Sequence, residues 1–108
     1  MNPDTGVSIF REIVAQHERS GADEATILEG IDYREKMAVT DPDLRIGLAS
    51  LAAVRLIERR GERWFVAHGI ASELPRTRKG TISIASEAWR QFAKRRIEPY
   101  FRPSKKEL

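Results

Sequence analysis

Apolar residues recur three and four positions apart over residues 8–19. Ile9, Phe10, Ile13 and Val14 fall on one helical face, and His17 continues it. Arg11, Glu12, Gln16 and Glu18 fall largely elsewhere, and Gly21 stands where a helix stop is expected. A second helix is predicted over about 22–36. Ile27, Leu28, Ile31 and Tyr33 form its stripe, with Asp23 and Glu24 in a first turn that favours acidic residues. Met37-Ala38-Val39 is short and apolar and reads as a small strand. Thr40-Asp41-Pro42 then offers a helix start, with Thr40 or Asp41 as the N-cap and Pro42 early in the first turn. A third helix is predicted over 43–58, with Leu44, Leu48, Leu51 and the closing Leu56-Ile57 pair as its core stripe. Gly47, Ala49, Ala52 and Ala53 keep that helix slim.

The pattern changes after it. Leu56-Ile57-Glu58, a turn around Gly61, and Arg63 to Val66 read as a β-hairpin, because Trp64-Phe65-Val66 is β-prone and the turn carries a glycine. Residues 69–79 look irregular. Thr81-Ile82-Ser83-Ile84 alternates like a strand, yet Ile82, Ala85, Trp89, Phe92 and Arg96 keep helical spacing, so a helix is predicted over 81–96, after Gly80. Ile97, Tyr100 and Phe101 extend the apolar character. The expected architecture is mainly α with a small β-hairpin, in one domain over 1–102 with a flexible tail over 103–108.

A chain of 108 residues, 41% apolar and 32% charged, has the composition of one folded core. No apolar run approaches the ~18 residues of a membrane span, and Met1-Asn2-Pro3-Asp4 lacks the start of a secretory signal. Without cysteine there is no disulfide framework and no thiolate metal site. A cytoplasmic protein without membrane contact is the expectation. Charge adds a further feature: residues 1–54 carry a net −5 and residues 55–108 a net +8, which implies an acidic side and a basic side.

Four stretches carry a resemblance: Ile27-Leu28-Glu29-Gly30-Ile31-Asp32-Tyr33, Thr40-Asp41-Pro42-Asp43-Leu44, Gly47-Leu48-Ala49-Ser50-Leu51 and Leu56-Ile57-Glu58-Arg59. They resemble small bacterial winged-helix proteins, in which a leucine-rich helix ends in a Gly-Leu-Ile/Val-Glu step into the wing. The likeness covers somewhat under half the chain and implies a winged-helix-like unit with extra N- and C-terminal helices. The chain departs from the pattern at Arg55, where glycine is usual. If that position takes a positive φ, arginine costs on the order of 1 kcal/mol relative to glycine; otherwise the helix runs one turn further. The spacer before Asp43 is also short for a full helix-turn-helix.

The resemblance implies a third helix in the DNA major groove and a wing on the backbone. The candidate reading face is Asp43, Arg45, Ile46, Ala49, Ser50 and Ala53, of which Arg45 and Ser50 carry the donors that read base edges. Asp41 and Asp43 repel phosphate. In the wing, Arg59, Arg60 and Arg63 suit phosphate contacts. Arg76, Arg78 and Lys79 form a second basic cluster, and Lys94, Arg95 and Arg96 a third. The candidate nucleic-acid-binding residues are therefore Arg45, Ser50, Arg59, Arg60, Arg63, Arg78 and Lys79. Trp64 and Phe65 alternate, so one should face the core and the other outward. Trp89 and Phe92 read as packing residues.

Catalysis finds no support. His17 and His68 stand in no metal-ligand spacing, no glycine-rich phosphate loop or serine elbow is present, and Asp32 and Glu35 are an ordinary helical surface pair. No cofactor or metal is expected. The expected function is double-stranded DNA binding in transcriptional regulation, by a homodimer joined through the apolar stripes of 8–19 and 81–101. The alternative is a winged-helix protein-interaction module without DNA binding, docking a partner on the slim Ala/Gly helix. A continuous basic face joining Arg59, Arg63, Arg78 and Lys94 favours the first; dispersed cations favour the second.

Overall fold

A computed structural model describes residues 3–17, 20–35, 39–80, 82–84 and 86–101. The first helix, α1, spans Pro3–His17 and so begins earlier than residue 8. Gly6 is buried inside the helix, and a Cβ there would lie 2.5 Å from the ring of Phe101. Close approach of that ring, and not a turn, is what the glycine serves. Gly21 does serve a turn: its φ is 75°, its N–H closes on the Gln16 carbonyl at 3.0 Å, and the Phe65 ring covers the space of a side chain.

Helix α2 spans Glu24–Glu35. Asp23, expected in the first turn, is instead its cap, its Oδ1 accepting from the Thr26 N–H at 2.8 Å. Ala22, expected as the first helical residue, pairs with Trp64 through two backbone bonds of 3.0 and 2.8 Å. The carboxylate of Glu12 on α1 is buried and paired with Arg34, which ties α1 to α2. The predicted strand at Met37-Ala38-Val39 falls on residues of which 37 and 38 lie outside the described set. Val39 packs half-buried against the core.

Helix α3 spans Asp41–Ala53, capped by Thr40, whose Oγ1 accepts from the Asp43 N–H at 3.2 Å. It ends well before residue 58, because Arg55 adopts φ 62°. The Arg55 N–H bonds the Ala52 carbonyl and the Leu56 N–H bonds the Leu51 carbonyl, both at 3.0 Å. This is a Schellman turn with arginine in the place of glycine. Leu56 and Ile57 are therefore the exit of the turn and the start of a strand, not the last helical turn.

Strand β1, Ile57–Arg60, pairs antiparallel with β2, Arg63–Val66, in the register Ile57↔Val66 to Arg60↔Arg63. Gly61 and Glu62 form the two-residue loop, with Gly61 at φ 65° in the glycine position of a type II′ turn. The outer edge of β2 is closed from two sides. Ala22 takes both backbone groups of Trp64, and His17 Nδ1 accepts from the Val66 N–H at 3.1 Å.

A single helical turn, α4, His68–Ala71, interrupts the stretch expected to be irregular and buries Ile70. The last helix, α5, spans Glu87–Arg96 and starts at Ser86, whose Oγ accepts from the Trp89 N–H. It does not start at residue 81, because Ile82 bridges back to Arg76 and Ser83 bonds the Pro75 carbonyl. The strand-like alternation prevails there over the helical spacing. A 3-10 turn, Glu98–Tyr100, follows.

Phe10 of α1 stacks on Trp89 and on Phe92 of α5, with ring centroids 6.0 Å apart in both cases, and Ile97 and Phe101 are buried beside them. The apolar stripes expected to join two protomers thus face each other within one chain. The helix-rich fold with its small hairpin is as expected; the surplus apolar surface assigned to a dimer through the terminal helices is internal.

The turn at Arg55 gives a direct test. Arg55→Gly removes the left-handed penalty while keeping both backbone bonds, and should raise stability by about 1 kcal/mol, read from urea denaturation at unchanged slope.

Candidate functional site

Leu44, Gly47, Leu48 and Leu51 of α3 face the core. The opposite side presents Pro42, Ile46, Ala49 and Ala53, with Arg45 on one flank and Asp43 on the other, all exposed. Ile46 is 54% exposed, at the centre of this face and flanked along it by the small side chains of Ala49 and Ala53. Ser50 stands half-buried on the Asp43 flank.

Beside this face runs a groove of about 650 Å³ between the start of α2, α3 and the hairpin, lined by Asp23, Glu24, Arg45, Ala49, Arg59, Glu62 and Trp64 among others. Arg45 lies 3.8 Å from the Glu24 carboxylate, a loose surface pair. The Arg59 guanidinium sits 5.8 Å from the Trp64 ring centre, and its Nε donates to the Gly61 carbonyl at 2.8 Å. Of the seven predicted site residues, Arg45 and Arg59 are brought together here. They share the groove with three carboxylates, so it is not a cationic channel.

The hairpin register separates the rest. Side chains alternate across a strand, so Arg59 and its partner Trp64 lie on one face of the ribbon, and Arg60 and Arg63 on the other. Arg60 is paired with Glu58, and its guanidinium lies 4.4 Å from the Phe65 ring centre. Arg63 reaches the Ser20 carbonyl at 3.5 Å. Arg78 and Lys79 are exposed at a tight turn closed by a Gly80-to-Thr77 backbone bond and by Arg76 Nη1 donating to the Gly80 carbonyl at 2.7 Å. On α5, Lys94 and Arg95 are exposed, whereas Arg90 pairs with Glu87 and Arg96 with Glu73. A single basic face through both Arg59 and Arg63 is therefore not formed.

The two hairpin aromatics are both half-buried. Trp64 lines the groove, and Phe65 packs edge-on against His17, with centroids 6.1 Å apart. Asp23 and Glu24, which the sequence places at the start of the second helix, were not recognised there as part of a site. The available signal was the Asp23-x-x-Thr26 spacing, which marks Asp23 as a cap and so places it at the helix end.

Among the described residues no helix is long and apolar enough to cross a membrane, and no group of three or more His, Asp or Glu side chains is placed to hold a metal. No family model, curated protein or solved structure matches the chain.

The Thr26 backbone N–H, seconded by the Thr26 hydroxyl and by the nearby Arg63 charge, holds the Asp23 carboxyl below its ordinary 3.8. A depressed carboxyl stabilises the fold above its unfolded-state value and loses that share as pH falls through the folded-state value. Asp23→Asn keeps a capping oxygen but does not titrate. The stability difference between wild type and Asp23→Asn should therefore be constant above about pH 5 and should shift against the wild type below pH 3.8, as read from thermal unfolding over a pH series.

Proposed function

We propose that this chain is a winged-helix-like protein-interaction module that docks a partner on the outward face of α3. The carrying observation is the make-up of that face: Pro42, Ile46, Ala49 and Ala53 are exposed along it, and Arg45 on its flank is shared with Glu24. A helix that reads DNA presents donors to base edges and cations to phosphate. Here Asp41 and Asp43 stand exposed at the N-terminal end, where they would repel the backbone. An exposed isoleucine between small residues instead suits a partner's apolar side chain, with the charged flanks as a polar rim. The proposed role is binding, not catalysis.

A second reading rests on a separate observation. Arg78 and Lys79 crown an exposed turn, and the C-terminal half carries a net +8. Contacts from there to the backbone of double-stranded DNA would be salt-steep and indifferent to sequence, and regulation of transcription through them would need specificity from another protein.

Two measurements separate these readings. Affinity capture from nuclease-treated lysate should retain partners with wild type and with the Arg78→Ala/Lys79→Ala double variant, and lose them with Ile46→Asp. Because Ile46 is half-exposed, that change should leave stability within about 0.5 kcal/mol. Capture that needs nucleic acid and follows the loop variant would reverse the order of the two readings. A gel-shift titration on duplex DNA at about 50 mM salt, where charge contacts are strongest, should show at most weak binding, abolished by the loop variant.

A further inference from the structure

Building on the docking-face reading, we propose that the partner on α3 is a second copy of this chain, packed antiparallel about a two-fold axis at the middle of the helix. Three features of the face point to a copy of itself.

The first is spacing. Pro42, Ile46, Ala49 and Ala53 stand four, three and four residues apart, the seam along which two helices pack. This seam is distinct from the inward set of Leu44, Leu48 and Leu51.

The second is size. A two-fold interface must match its own reverse. Reversing α3 about the point between Gly47 and Leu48 sets Ile46 opposite the partner's Ala49, and Pro42 opposite the partner's Ala53. A large side chain meets a small one at each central position, twice over.

The third is charge. The seam begins at Asp41 and Asp43 and ends at Arg55, all three exposed. Among the described residues no carboxylate pairs with Arg55. The same reversal sets Asp41 of one copy opposite the partner's Val54, one residue from the partner's Arg55, at both ends of the seam. The opposed helix dipoles add to the same sense.

The extent of the seam limits its strength. Thirteen residues of helix span about 20 Å, so the contact falls short of the ~1,600 Å² of a standard stable interface. The dimer is accordingly a weak one, with a Kd on the order of 10–100 µM. While formed, it covers the face of α3 that a DNA-reading mode would need.

Sedimentation velocity on the full chain, from about 5 µM to about 1 mM, tests this directly across the expected Kd. Wild type should move from monomer to dimer over that range. Ile46→Asp should remain monomeric throughout, and Ala49→Glu, at an equally exposed position, should repeat the result with an independent variant. Arg55→Glu and Asp41→Lys should each weaken the dimer at least about ten-fold, equivalent to 1.4 kcal/mol. An equimolar mixture of those two variants should dimerise again, since each reversed charge then meets an opposite one. Far-UV circular dichroism and thermal melts establish that every variant is folded. A wild type that stays monomeric at about 1 mM overturns the proposal, and so does a dimer indifferent to both Ile46→Asp and Ala49→Glu. A monomeric wild type whose capture of some other protein still depends on Ile46 also removes the second copy as occupant, while leaving the docking-face reading in place.

Discussion

The whole arrangement depends on one left-handed residue. At Arg55 the chain must leave α3 and turn back along the core within two residues, so that Leu51 and Leu56 both end up inside. For an L-residue other than glycine that conformation costs about 1–2 kcal/mol. It is held by the two backbone bonds that close the turn, and by Leu56, whose burial contributes about 1.5–3 kcal/mol. The balance favours the turn by a modest margin. Without it α3 would continue, β1 would lose its register with β2, and the groove between helix and ribbon would have no second wall.

A ribbon of two four-residue strands is marginal in water. Its persistence rests on what lies along the free edge of β2. The backbone groups of Trp64 that point away from β1 meet Ala22, and the outward N–H of Val66 meets the imidazole of His17. Both caps come from the end of α1 and the link to α2. The position of α1 in turn depends on Phe10, which stacks on Trp89 and Phe92 of α5. The aromatic cluster thus supports the groove at a distance. It anchors α1, α1 delivers His17, and His17 holds the β2 edge from which Trp64 lines the site. The two terminal helices, which look like additions to a central unit, are structural parts of it.

Features set by local chemistry were legible in the sequence. Thr40-Asp41-Pro42 marked the start of α3, Gly61 marked the hairpin loop, and Arg55 was identifiable as the residue that either tolerates a positive φ or lets the helix run on; it tolerates it. Features set by distant contacts were not. The apolar spacing starts the first helix at residue 8, whereas α1 begins at Pro3 and holds Gly6 against the ring of Phe101. The spacing of Ile82 with Trp89 and Phe92 imitates a helix, but the pairing of Ile82 with Arg76 decides against it. The same division holds for the site. That Arg59 and Arg63 lie on opposite faces follows from strand alternation and register alone. That α2 brings Asp23 and Glu24 to the groove needed the packing of α2 on α1 and the pairing of Ala22 with Trp64.

The charge asymmetry of the chain takes a different form in three dimensions from the one its linear distribution implies. Among the described residues, several ion pairs join charges of the same half: Glu12 with Arg34 and Glu24 with Arg45 in the first, Glu58 with Arg60, Glu73 with Arg96 and Glu87 with Arg90 in the second. Local pairing takes up part of the minority charge on each side and leaves exposed surplus charge at particular sites. For the basic half those sites include Arg78, Lys79, Lys94 and Arg95, which lie outside α3 and the hairpin, and Arg55 at the exit of α3. For the acidic half they include Asp41 and Asp43 at the start of α3. Screening within about 10 Å at ordinary salt keeps such fields local. The electrostatic character of α3 is therefore set by its own termini, acidic at one end and basic at Arg55, and not by the net charge of the molecule. A surface polarised along its length in this way attracts a surface polarised in the opposite sense, and the nearest such surface is the same helix turned around.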